Sequence, residues 1–90
     1  MAFYLAPCYY IPEVRNMRPY NVNAALGGVL RRYREGRGLA QDEFAELCGI
    51  SRAYYGRIER GEHSPTVERC QLIASALNVR LADLFSELPE

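Results

Sequence analysis

Ninety residues allow one domain with a single modest core, and 49% hydrophobic and 24% charged residues are ordinary for a globular chain. No apolar run approaches the roughly 18 residues that span a bilayer. The opening MAFYLAPCYYIP is too short, too aromatic and too poor in early basic residues for a signal peptide, so no membrane partner is expected and the cytoplasm is the expected location. The formal net charge of zero argues against a nucleic-acid partner, but its distribution reverses that: residues 31–60 hold seven arginines against five acids, and residues 61–90 hold two against five. The three cysteines, Cys8, Cys48 and Cys70, form no CxxC pair and accompany one histidine, so zinc, haem and a disulfide framework are not expected, and neither is any other cofactor.

Residues 1–22 form a distinct segment. Pro7, Pro12 and Pro19 exclude a long helix there, while Phe3, Tyr4, Tyr9, Tyr10 and Tyr20 argue against simple disorder. An extended arm or short strand is expected, packed on its own domain or on a partner chain.

The first helix is expected from about Asn23 to Glu35 or Gly36, with Ala25, Leu26, Val29, Leu30 and Tyr33 as its buried stripe. Gly27 and Gly28 each cost about 1 kcal/mol of helix stability relative to Ala, and both are read as sites of close approach by another helix. The segment QDEFAELCGISRAYYGRIERG, residues 41–61, then reads as helix, tight turn, helix. Ala45 is small enough for a close crossing. Gly49 falls where the chain needs positive φ, Ile50 plugs the turn and Ser51 caps the next helix. Phe44, Leu47 and Cys48 form one apolar stripe, and Tyr55 and Ile58 the other. Arg52, Ala53, Tyr54, Gly56 and Arg57 are left facing out, a surface suited to phosphates and guanine edges.

After Gly61 the loop EHSP leads to Thr66, an N-cap for a helix over about Val67–Leu77 that buries Val67, Cys70, Ile73, Ala74 and Leu77 and stops at Asn78. A last short helix, about Leu81–Ser86, presents Leu81, Leu84 and Phe85, with Leu88 beyond it, as an end poorly covered in a monomer. The expected architecture is all-α: a compact five-helix domain over residues 23–90 with an extended N-terminal arm over residues 1–22.

Between Leu26 and Leu88, through RGLAQDEFA, GIS, IERG, SPT and LADLF, the sequence resembles the Cro and phage-repressor type of helix-turn-helix domain. The stretch SRAYYGRIERG is most similar to the small controller proteins of restriction–modification systems. The resemblance implies a lambda-repressor-like DNA-binding domain that acts as a homodimer on a two-fold symmetric double-stranded operator, as a repressor or an autoregulatory controller. It places Gln41 against a phosphate or a base edge, Arg52, Ala53, Tyr54 and Arg57 in the major groove beyond the Ser51 cap, and His63, Ser64 and Thr66 near the sugar-phosphate backbone. It also pairs Arg34 with Glu59. The arm has no counterpart in the minimal domain, Gly56 is unusual on a recognition helix, and Arg80 stands where a hydroxyl cap often precedes the last helix.

Other readings of these residues stay open. Tyr54 packs on its own domain or touches DNA, and Gln41 is a contact or only a surface or capping residue. A protein-interaction module or antitoxin-like partner on the same fold is the alternative function. Glu59, His63 and Ser64 lie close in sequence, but no nucleophile elbow, phosphate-binding glycine loop or metal-ligand spacing accompanies them, so catalysis is not expected. No small-molecule pocket is evident.

Overall fold

The structure, a computed structural model, describes residues 20–89. Residues 1–19 of the expected arm, with Cys8 and all its aromatic residues except Tyr20, lie outside the described residues. Five helices follow one another: α1 Val22–Gly36, α2 Gln41–Cys48, α3 Arg52–Glu59, α4 Val67–Leu77 and α5 Leu81–Ser86. Helix α1 packs on α3 and α5, α2 on α3 and α4, and α4 on α5.

Most boundaries have a local chemical cause. Helix α1 begins one residue earlier than the apolar pattern suggests, because the Asn21 side chain accepts from the Ala24 amide at 3.0 Å. Helix α2 lacks a side-chain cap at Ala40; the Glu43 carboxylate turns back instead and accepts from the Ala40 amide at 2.8 Å. Ser51 and Thr66 cap α3 and α4 as expected, accepting from the amides of Tyr54 and Arg69, each at 3.1 Å. Gly49, at φ 76°, ends α2 in the left-handed region, and Asn78, at φ 60°, ends α4 in the same way. At Arg80 the missing hydroxyl cap is replaced by Asp83, whose carboxylate accepts from the Arg80 amide at 2.9 Å.

The core is built from Leu26, Val29 and Leu30 of α1, Phe44, Ala45 and Cys48 of α2, Tyr55 and Ile58 of α3, Cys70, Ile73, Ala74 and Leu77 of α4, and Leu84 of α5. The rings of Phe44 and Tyr55 meet edge to face, with centroids 5.2 Å apart. Several sequence expectations need correction. Leu47 is 62% exposed. At about 100° per residue it falls about 60° outside the arc shared by Phe44, Ala45 and Cys48, just beyond the covered stripe. Val67 is 67% exposed, since it opens α4 one turn before Cys70, where the buried stripe begins. Leu84 is fully buried in the single chain and Leu81 and Leu88 are half-buried, so of the expected apolar end only Phe85 is exposed. Gly56 is buried, because Arg60 and Gln41 lie over it.

The two glycines in α1 have different roles. A Cβ on Gly27 would overlap the Glu59 carbonyl oxygen and stand 2.6 Å from that of Ile58, so the bare Cα lets the end of α3 rest directly on α1. A Cβ on Gly28 would meet nothing nearer than Arg32 Nη1 at 3.7 Å. The expectation of close approach therefore holds for Gly27 and fails for Gly28. Gly27→Ala should destabilise the fold by about 1–3 kcal/mol through overpacking against rigid backbone. Gly28→Ala should be neutral or stabilise it by up to about 1 kcal/mol through helix propensity. Urea midpoints of the two variants check this, and the opposite order would show that α3 does not rest on Gly27.

Candidate nucleic-acid interface

The outer face of α3 is held in place from within by one carboxylate. The Glu59 side chain, only 3% exposed, accepts from Arg34 Nε at 2.6 Å; the Arg34 side chain is 10% exposed. A second bond comes from Arg34 Nη2 at 3.1 Å, a third from the Tyr55 hydroxyl at 2.5 Å and a fourth from Gln41 Nε2 at 2.9 Å. Arg34 Nη1 also donates to the Leu39 carbonyl at 2.6 Å. The network thus joins α1, the connection after it, the first residue of α2 and the last residue of α3. Burial pushes the Glu59 carboxyl up, but the bonds from Arg34, Tyr55 and Gln41 outweigh it and hold the group below the ordinary carboxylate value. The Glu59 bond raises Arg34 further. Burial, and then the bond to Glu59, push the Tyr55 phenol well up, so it stays protonated and donates.

On this support α3 turns Arg52, Ala53 and Arg57 outward. Together with Gln41, Gly56 and Arg60 they line one shallow concavity between the start of α2 and α3. Gln41, expected to touch DNA, is anchored through its amino group to Glu59, and its carboxamide oxygen lies near Gly56. Tyr54 is half-buried. Its ring meets His63 edge to face at 4.8 Å, with the Arg69 guanidinium 5.0 Å from its centroid. Tyr54 therefore packs on its own domain and holds the loop after α3. Ser64 is exposed beside it in the chain. The hydroxyl oxygens of Ser51 and Thr66 are occupied as helix caps.

Two polar residues of this surface escaped the sequence pattern. Arg60 falls three residues after Arg57 and four after Gly56, so the helical period that marked the outer face was already sufficient to include it. Arg69 comes from α4, and its approach to Tyr54 depends on a tertiary crossing that no local period encodes. Burial pushes the Cys48 thiol up to about 11 and raises that of Cys70, as suits core thiols. Among the described residues no group of acids, histidines and cysteines is placed to hold a metal, and no helix is long and apolar enough to cross a membrane.

A helix, a glycine turn, a second capped helix with an exposed basic face, and three further helices around one core define a helix-turn-helix domain. Residues 30–84 match the helix-turn-helix family, and the chain belongs to it. It is 39% identical over 66 residues to the HTH-type transcriptional regulator SutR of Escherichia coli, an alignment covering 73% of this chain and 37% of that one. It is 32% identical over 66 residues to control protein C.SmaI of Serratia marcescens, covering 73% and 79% of the two chains. The restriction-modification controller protein C.AhdI of Aeromonas hydrophila superposes with a TM-score of 0.71 at 33% identity, covering 73% of this chain and all of that one. The chain spans only 37% of SutR and 40% of the SlrR regulator of Bacillus subtilis. SutR and SlrR are transcriptional regulators, and C.SmaI and C.AhdI are control or controller proteins.

Glu59→Gln leaves the Arg34 charge buried without its counter-ion and should cost about 3–5 kcal/mol at neutral pH. The native Glu59 carboxyl titrates below its unfolded value. Its stabilisation is therefore complete above the ordinary value of 4.5 and is lost as pH falls through the lower native value. The stability gap between wild type and Glu59→Gln should shrink only below about pH 4.5. Urea titrations from pH 7 to pH 3 check the sign, and a gap that widened on acidification would contradict it.

Proposed function

We propose that this chain is a sequence-specific DNA-binding regulator of transcription, a repressor or autoregulatory controller, that reads double-stranded DNA through α3 in the major groove. The observation that carries this reading is the outer face of α3. Arg52 and Arg57 project from it, and neither is engaged by an acid among the described residues. An arginine fork matches O6 and N7 of guanine, and its charge serves equally for phosphate. Ala53 between them leaves room for a base edge or a thymine methyl. Gln41 offers its carboxamide oxygen and one remaining amino proton at the entrance of the groove. Ser51, His63, Ser64 and Thr66 flank the ends of α3, where the sugar-phosphate backbone would run, and Tyr54 fixes the loop that presents His63.

The operator is two-fold symmetric and the chain binds it as a homodimer, in the cytoplasm where such a target lies. Exposed Phe85, with Val22 and Tyr20 also exposed, offers apolar surface for the two-fold contact. The similarity to controller proteins supports a regulator of restriction–modification type. Control would then follow protein concentration, since dimerisation and binding are coupled.

Selection of bound duplexes from a random library should yield an inverted repeat with half-sites about one helical turn apart. On the selected site Arg52→Ala and Arg57→Ala should each weaken binding by about 1–3 kcal/mol and relax the preference at one or two base pairs. Affinity should fall steeply with salt as neutralised phosphates release counterions. Variants that bind as tightly as wild type, or a flat salt dependence, would exclude this mode and favour a protein-interaction module. Sedimentation over a concentration series checks the dimer; a chain that stayed monomeric to high micromolar concentration would contradict it.

A further inference from the structure

Arg60 caps the C-terminal end of α3, one turn after Gly56. Its guanidinium lies across that glycine. Nη1 is 3.1 Å from the point a Cβ on Gly56 would occupy, and the Gln41 carboxamide oxygen is 3.6 Å from the same point. From the other side the Glu62 carboxylate accepts from Arg60 Nε at 3.0 Å and from Nη2 at 3.3 Å. This side-on pairing uses two of the five N–H donors of the fork. The end-on edge, with one N–H from each terminal nitrogen, stays parallel and unused. Both side chains are about half exposed, at 55% and 54%, and Arg60 lines the same concavity as Arg52 and Arg57.

We propose that Arg60, held side-on by Glu62 across the bare Cα of Gly56, is a third base-reading side chain of the α3 surface, and that it takes the acceptor edge of a guanine rather than a phosphate. The inference rests on the DNA-reading function proposed above, and charge separates the two targets. A phosphate contact draws chiefly on net charge and counterion release. The Arg60–Glu62 pair is neutral, and Glu62 beside it repels phosphate oxygens. A guanine edge is uncharged and presents two acceptors at the spacing of the free end-on donors, so it rewards orientation, which Glu62 supplies. Arg52 and Arg57, which make no ion pair among the described residues, supply the net charge, with Glu62 in Coulombic reach of Arg57. Gly56, unusual on a recognition helix, acquires a reason: a methyl group there would stand 3.1 Å from Nη1 and shift it by a few tenths of an ångström.

The test uses the full chain, duplexes selected from a random library, and each base pair of the half-site varied in turn. Melting curves first show that the variants fold. Arg60→Ala should lose about ten-fold discrimination at one G·C pair per half-site. The slope of log K against log salt should stay unchanged in the charge-conserving double variant Arg60→Ala/Glu62→Gln, which loses the same base preference. Glu62→Gln should blunt the same preference while steepening the slope by about 0.9 per subunit, since one more cation becomes available to phosphate. Gly56→Ala should weaken the preference at that same base pair. Arg60→Ala that keeps every base preference overturns the proposal, and so does a double variant Arg60→Ala/Glu62→Gln that loses affinity uniformly across base pairs with a shallower salt slope. If Arg52→Ala and Arg57→Ala relax base preference while Arg60→Ala does not, only this inference falls. If the wild-type chain selects no duplex at all, the DNA-reading function falls with it.

Discussion

One buried carboxylate determines how this domain presents its surface. Glu59 closes α3 and receives four hydrogen bonds, two from Arg34, one from Tyr55 and one from Gln41. A buried charge is costly unless every lone pair is engaged, and here the partners come from three different helices. The constraint is therefore geometric as well as energetic. The end of α3 cannot rotate or withdraw without leaving Arg34 and Glu59 unpaired in a dry environment. Gly27 serves the same end from the backbone side, letting the Ile58 and Glu59 carbonyls rest against α1.

The outer face inherits its rigidity from this inner one. Gln41 is held by the same carboxylate, so the side chain at the entrance of the concavity is aligned before any ligand arrives. Tyr54, set between His63 and Arg69, ties the far end of α3 to the loop and to α4. Between these two anchors Arg52 and Arg57 are exposed and make no ion pair among the described residues. A supported frame carrying exposed cations would suit the proposed reader of a polymer of fixed pitch. The ordering cost on binding is then confined to those side chains.

Much of this was legible in the sequence because the signals are local. Ser51, Thr66, Gly49 and Asn78 mark helix ends by chemistry that acts within four residues, and all four hold the positions expected of them. The stripes of α1 and α4 follow from helical period, Val67 excepted. The errors arose where burial depends on what lies opposite. Leu47 is apolar and adjacent to the core stripe of α2, yet no period says how wide that stripe must be. Leu84 is buried in the single chain because α5 packs on both α1 and α4, a crossing invisible to local reading. Gly56 read as exposed because its cover, Arg60 and Gln41, comes from side chains folding back. The Arg34–Glu59 pair was reached only through a family resemblance, since twenty-five positions separate its members.

Under the proposed function a preformed α3 surface meets DNA while the Glu59 network beneath it stays intact. Nuclear magnetic resonance of the backbone amides and arginine Nε–H groups, followed as a selected duplex is added, tests it most directly. The predicted result is large shifts at Arg52, Ala53, Arg57 and Arg60, with the Arg34 Nε–H resonance nearly unmoved. Shifts concentrated on α1 or α5 with α3 unchanged, or loss of the Arg34 signal on binding, would contradict it.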